Sequence, residues 1–410
     1  MFDRGLINPM LTGAELYEAL KSIPEYDDSI RTRDKSTRLV ALSDIYNVYV
    51  PSKLSEEIYT KLYLALIRSL NKKGTKDIVR QINENYKAIK GLNYHGIMGG
   101  ADSFSIIGSS GLGKSSAISR AIRIISDTYI DYNNTKICPF VIAQCPFDSS
   151  TNGLCLEVLR KVDELLYTHY YANAIRSRAT TDVLIGMISQ VSISHIGVLI
   201  IDEIQHCAVS KNGRSFINGI TQIINNSGVS ICLVGTPECL SLFQNKLQLA
   251  RRSMGLYYQT MLYDSFFEEF CRSFFIYQYT QQKTDLTDSI IEWLYEHSGG
   301  LVSVVVSLLH DAQEIAILSG YEKIDLKSLG EAYNKRTAML HGFLQKNTPS
   351  LSKTSRSNKK SKQATLENEA ALEKCFIGNQ RQSMSILEIV EEARACLKNK
   401  DCTKAEKEVS

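Results

Sequence analysis

The chain has 410 residues, with 47 Lys or Arg against 44 Asp or Glu, a formal net charge of +3. That near-balance excludes a strongly polycationic nucleic-acid binder while leaving room for a local basic patch. The 44% hydrophobic content is enough for packed cores in about two or three domains. Ten cysteines without a C-x-x-C pair argue against a zinc site, and the N-terminus does not resemble a secretory signal. No apolar run reaches the roughly 18 residues that span a bilayer, so a reduced, cytoplasmic protein without membrane contact is expected.

Residues 1–95 read as a polar helical region. Leu16, Leu20 and Ile23 are spaced for a short amphipathic helix, and Ile58, Leu62, Ala65, Leu66 and Leu70 for a longer one that Gly74 can stop. Between them Arg31, Arg33, Lys35 and Arg38 lie in a polar segment that could face DNA or a partner, or simply water.

The core, residues 96–283, opens on the strand Phe104–Ile107. Gly108, Ser109, Ser110, Gly111, Leu112, Gly113, Lys114 and Ser115 follow it, fitting G-x-x-x-x-G-K-[ST], and a helix runs from Ser116 to Ile125. Glycines let the backbone turn several N–H groups toward an anion, and the helix start adds partial positive charge. Lys114 is placed for the terminal phosphates of ATP, and the Ser115 hydroxyl for Mg²⁺. Ser116 closes the expected nucleotide-binding stretch.

A second strand, Phe140–Ala143, precedes a helix carrying Leu154, Val158, Val162 and Leu165. The third strand, Val198–Ile201, runs directly into Asp202 and Glu203. Four apolar residues before two acids form a Walker B pattern: Asp202 is expected to hold Mg²⁺, and Glu203 to polarise the attacking water. The fourth strand, Val229–Val234, leads to Thr236, a candidate sensor of the terminal phosphate. Phe274–Tyr277 is read as a fifth strand. Alternating strands and helices give an α/β fold with a parallel sheet. A separate catalytic Glu after the Walker B Asp places it among additional-strand ATPases, including the AAA+ group. Many AAA+ proteins carry an arginine between the fourth and fifth strands that reaches a neighbouring subunit's nucleotide. Arg251 or Arg252 could do so here.

Residues 284–345 read as a helical lid, with Leu286, Ile290, Leu294 and His297 leading to Gly299-Gly300, and Val302, Val305, Val306 and Leu309 heading the next helix. Trp293 is read as core. No arginine follows the glycines: the positions are Leu301, Val302 and Ser303. Residues 346–410 read as a flexible basic linker carrying Lys353, Arg356, Lys359, Lys360 and Lys362, and a short helix. Ser385 and Glu388 can cap that helix, and Ile386, Val390, Ala393 and Leu397 give it one apolar face for a partner.

Beyond the nucleotide motifs, several stretches resemble the TnsC-type (TnsC/TniB-like) AAA+ transposition ATPases of heteromeric DNA transposons over roughly residues 8–340. They are Cys145-Pro146, Leu154-Cys155, Val162-Asp163, Ile201-Asp-Glu-Ile-Gln-His206, Ile217-Asn-Gly219 and Val234-Gly-Thr-Pro237. Ala250-Arg-Arg252 with Gly255, Tyr277-Gln-Tyr-Thr280, Ala312-Gln313 and Ala316-Ile317 extend the pattern. The resemblance implies ATP-dependent assembly of rings or helical filaments on duplex DNA, linking a target-site selector to transposase subunits. It also implies backbone-gripping DNA contacts, for which Arg176, Arg178 and Thr181 in one loop and Lys211 and Arg214 in another are the candidates. The alternatives are a helicase-loader or origin-binding ATPase, and a signalling NTPase that does not act on DNA.

Overall fold

The computed structural model describes residues 6–73, 75–90, 103–132, 135–244 and 255–347. Arg251, Arg252, Gly74 and the whole expected tail helix lie outside the described residues. So do Lys353, Arg356, Lys359, Lys360 and Lys362.

Six strands form one sheet: β1 Phe104–Gly108, β2 Ile130–Tyr132, β3 Thr135–Gln144, β4 Ile196–Asp202, β5 Ser230–Gly235 and β6 Leu256–Tyr258, in the order β2-β3-β4-β5-β1-β6. All neighbours are parallel except the short β2, which pairs antiparallel with β3. The strand β5 lies between the phosphate-loop strand β1 and the Walker B strand β4. That inserted strand is the defining arrangement of the additional-strand class, so the core is the α/β fold with a mostly parallel sheet expected from the sequence. In register, Ile107 pairs with Gly235, Gly108 with Tyr258, and Gln144 with Asp202. The carboxyl ends of five parallel strands therefore meet at one edge, where ligands of open α/β sheets bind.

Helices cover both faces, so β1 and β5 are buried throughout and β4 is buried up to Ile201. In chain order they are α1 Gly13–Leu20, α2 Lys35–Ala41, α3 Lys53–Lys72, α4 Lys76–Ile89, α5 Lys114–Ile125, α6 Thr151–Leu166, α7 Tyr170–Arg176, α8 Thr181–His195, α9 His206–Val209, α10 Gly213–Ser227 and α11 Leu240–Gln244. Further along the chain come α12 Ser265–Phe275, α13 Asp288–Ser298, α14 Val302–Ser319, α15 Leu326–Arg336 and α16 His341–Asn347. On one face Val158, Val162, Ile188 and Ile220 from α6, α8 and α10 pack on β3, β4 and β5. On the other, Leu16, Leu62, Leu66 and Ala121 from α1, α3 and α5 pack on Ile106, Ile200 and Cys232.

The fifth strand departs from the sequence expectation. Phe274 and Phe275 end a helix, and the strand beside β1 is Leu256–Tyr258. The reason is a cap and a period. Asp264 accepts from the N–H groups of Phe266 and Phe267, and Phe267, Phe270, Cys271 and Phe274 then recur on one buried helical face. Ile23 also departs: α1 stops at Leu20, and Ile23 is exposed.

Arg38 is neither a DNA-facing nor a solvated residue. It is 1% exposed and makes a forked ion pair with Glu322, with Nη1–Oε2 at 2.6 Å and Nη2–Oε1 at 2.8 Å. It also donates to the carbonyls of Tyr279 and Arg33. One guanidinium thus ties the N-terminal region to the connection between α12 and α13 and to the turn after α14.

The lid core joins Leu42, Ile45 and Val48 from the N-terminal region to α12, α13, α14 and α15. Trp293 stacks on His297 with ring centres 3.8 Å apart, packed at the edge of that core. Among the described residues, α14 is long and apolar enough to cross a bilayer by length and composition. Half of it is buried in the lid.

Candidate functional site

At the carboxyl edge of the sheet lies a cavity of about 850 Å³. Its floor is the phosphate loop. Gly111 and Gly113 hold φ values of +79° and +93°, backbone that an L side chain resists. Gly113 is the N-cap of α5, so the loop and the start of α5, including Ser116, border the cavity together. The Lys114 amine arches over its own loop, donating to the carbonyls of Gly108 at 2.6 Å and Ser109 at 3.0 Å. Burial lowers its pKa, and the charges of Asp202 and Glu203 work the other way.

The second wall is the end of β4. Ser115 Oγ donates to Asp202 Oδ2 at 3.3 Å, so two hard oxygen donors from distant motifs meet at one point. Burial raises the Asp202 carboxyl above the usual range, opposed by the Glu203 N–H, which donates to Oδ1 at 2.8 Å. This donor set fits Mg²⁺, which favours oxygen ligands. Glu203 stands in left-handed backbone, φ +59°, rare for a residue with a side chain and worth about 1–3 kcal/mol of strain. Its carboxylate accepts from the Gln205 side-chain amide. Thr236, at the tip of β5, borders the same cavity.

The remaining walls carry no motif that sequence reading could find. Val48, Tyr49, Val50 and Ser55 come from the N-terminal region, and Tyr258 and Phe270 from β6 and α12. Tyr49 lies under the Arg120 guanidinium, 4.3 Å from its ring centre, and its hydroxyl meets Ser55 Oγ at 2.8 Å. The lid closes the cavity with Val302, Ser303, Val306 and Ser307. The lid positions 301–303 carry no cation, as the sequence shows. In its place the start of α14 sits directly on the phosphate loop, with the Ser303 N–H bonded to the Gly111 carbonyl. The cavity therefore combines an anion cradle, the Lys114 ammonium, a cation-ready oxygen pair, a positioned carboxylate and an apolar end, which suits a nucleoside triphosphate.

Residues 81–259 match the family model described as bacterial TniB protein. Over that stretch the chain is TniB-like. Comparison with curated protein sequences finds no match. Among solved structures, the chain is similar to the ORC1 protein of Aeropyrum pernix in complex with DNA, at 13% identity and TM-score 0.40. That match covers 63% of this chain and 64% of that one, so the chain spans under two thirds of the Aeropyrum protein's length. It is also similar to a Walker-type ATPase of Pyrococcus abyssi (11% identity, TM-score 0.40, covering 65% and 74%). Drosophila ORC bound to DNA is a further match (11% identity, TM-score 0.42, covering 79% and 69%). Likenesses this distant carry no argument about what the chain binds.

The candidate DNA residues lie outside the cavity. Arg176, Arg178 and Thr181 are exposed around the connection between α7 and α8. Lys211 is exposed between α9 and α10, and Arg214 is exposed in the first turn of α10. The second loop is laced to the loop after β3: Ser210 Oγ and Asn212 Nδ2 both donate to the Asp148 carbonyl at 3.2 Å. At the tips of these paired loops Phe147 and Val209 are each 88% exposed.

Proposed function

We propose that the chain is an ATP-hydrolysing regulator of DNA transposition that assembles on duplex DNA and links a target-site selector to transposase subunits. The observation that carries the nucleotide part is the meeting of Lys114, Ser115, Asp202, Glu203 and Thr236 around one cavity. The TniB match supports the transposition part.

In this reading the backbone from Gly108 to Ser116 wraps the phosphates, and Lys114 swings from its loop carbonyls to the terminal ones. Ser115 and Asp202 would hold Mg²⁺, which spreads the charge of the terminal phosphates. Glu203 orients the attacking water, and Thr236 contacts the terminal phosphate. Arg251 or Arg252 supplies positive charge to the site of a neighbouring subunit. The lid offers no arginine for this, so the neighbour's cation has more to do. DNA is gripped through its backbone by exposed groups, with Lys211 and Arg214 on the laced loop pair and Arg176, Arg178 and Thr181 as the candidates.

The test is binding of a fluorescent duplex with ATP, with ADP and without nucleotide, followed by sizing of the complexes. ATP-dependent, multi-subunit complexes on duplex DNA support the reading. Robust ATP turnover with no DNA binding under low salt would favour a signalling NTPase instead.

A further inference from the structure

Gln205 follows the Walker B acids by two residues and belongs to neither nucleotide motif. Its two partners, Glu203 and Thr236, both border the cavity, whereas Gln205 does not. Its side-chain Nε2 donates to Glu203 Oε2. Its Oε1 accepts the backbone N–H of Thr236 at 3.3 Å. A primary amide can donate and accept at once, and here it does each toward one wall of the site.

The surroundings fix that amide in place. The backbone turns tightly beneath it, with the His206 N–H bonded to the Glu203 carbonyl and the Ile204 N–H bonded to the Val234 carbonyl of β5. Gly235 leaves the space the amide occupies: a Cβ there would sit 3.0 Å from Gln205 Oε1 and 2.6 Å from Ile204 Cγ2. The Glu203 backbone is bound at both ends, its N–H to Asp202 Oδ1 and its carbonyl to the His206 N–H, and its carboxylate is held by the Gln205 amide.

We propose that Gln205 is a positioning residue that couples the tip of β5 at Thr236 to the Glu203 carboxylate. A shift of the β5 tip on contact with a terminal phosphate passes through the amide and re-aims the carboxylate at the attacking water. The proposal rests on the reading of Glu203 and Thr236 given above, and it makes Gln205 matter to turnover while leaving nucleotide affinity alone.

The test compares the full chain with Gln205→Met, which keeps the length and loses both polar contacts. A second variant, Gln205→Glu, keeps an acceptor for the Thr236 N–H and loses the donor to Glu203. Turnover and equilibrium ATP binding are measured for both, alongside Glu203→Gln and the double variant Gln205→Met with Glu203→Gln. Misaiming a reacting group by about 1 Å can cost about 100-fold, so kcat should fall about 10- to 100-fold in both single variants. ATP affinity should stay within about twofold, and the double variant should be no slower than Glu203→Gln alone. Unchanged kcat, or a loss of ATP affinity parallel to the loss of kcat, would overturn the relay. A further slowing in the double variant would also overturn it, since Gln205 would then act without Glu203. If Glu203→Gln itself turns over like the unaltered chain, the assignment of Glu203 fails, and that result is separate from any behaviour of Gln205.

Discussion

The Ser303 N–H donates to the Gly111 carbonyl at 3.0 Å, placing the first turn of the lid helix α14 on the phosphate loop itself. A Cβ on Gly111 would lie 2.1 Å from Ser303 Oγ, at a backbone φ of +79°. The hydroxyl can rotate away, whereas the left-handed backbone cannot be relieved so cheaply. Gly111→Ala should therefore lower ATP affinity about fivefold or more, from about 1–2 kcal/mol of backbone strain. Pairing it with Ser303→Gly should recover little. Nucleotide titration by calorimetry checks this; full recovery in the pair would mean the clash, and not φ, governs the site.

Binding and turnover should separate at Lys114 and Glu203. Lys114→Ala removes the ammonium of the phosphate loop, and its charge-assisted contacts are worth about 2–3 kcal/mol or more, so ATP-dependent DNA binding should be lost. Glu203→Gln keeps shape and loses charge: ATP should remain bound and complexes on DNA should persist. Complex lifetime and ATPase rate measured together decide it. Wild-type turnover in Glu203→Gln would remove that carboxylate from its role.

The arginine pair predicts complementation. Arg251→Ala with Arg252→Ala should leave ATP binding nearly unchanged and abolish turnover, because trans arginines contribute about 10³–10⁵ in rate in related phosphoryl-transfer systems. Mixing this variant with Lys114→Ala should restore part of the activity, since mixed interfaces pair an intact loop with an intact arginine. Mixed oligomers that stay inactive would argue that neither arginine acts across the interface.

The Arg38–Glu322 pair predicts acid sensitivity. The Arg38 guanidinium holds the Glu322 carboxyl below its usual range. A carboxylate with a depressed folded pKa contributes stability that is fully present above about pH 4.5 and is lost as pH falls through the folded value. Glu322→Gln should flatten that part of the stability profile. It also leaves Arg38 buried without its charge partner, at a cost of about 3–5 kcal/mol near neutral pH. Denaturant unfolding at several pH values reads both effects. An unchanged acid slope in Glu322→Gln would show that other carboxylates set it.

What was legible in the sequence was whatever a short contiguous pattern encodes. The phosphate loop and Asp202-Glu203 announce their chemistry because the motif is local and the strands around it are apolar runs. Strand β6 was not legible: three residues are too few for any periodicity, and the Phe274–Tyr277 run beside it looked more strand-like. The cap at Asp264 was the available signal. Arg38 was misread because burial of a guanidinium depends on a carboxylate 284 residues away. Tyr49 and Phe270 join the site only through the fold. Their residue types are ordinary, and no spacing ties them to the motifs.

The cavity's walls include residues 45–55, 110–116, 202–203, 235–236, 258–274 and 302–307, stretches far apart along the chain. A nucleotide seated there fastens the two ends of the folded unit to its middle, so its binding energy is also resistance to unfolding. By mass action, ligand at a hundred times its dissociation constant adds about 2.7 kcal/mol. Protease resistance and melting temperature should then track the cellular adenylate pool: the energy supply would set how long each molecule survives, apart from how fast it works.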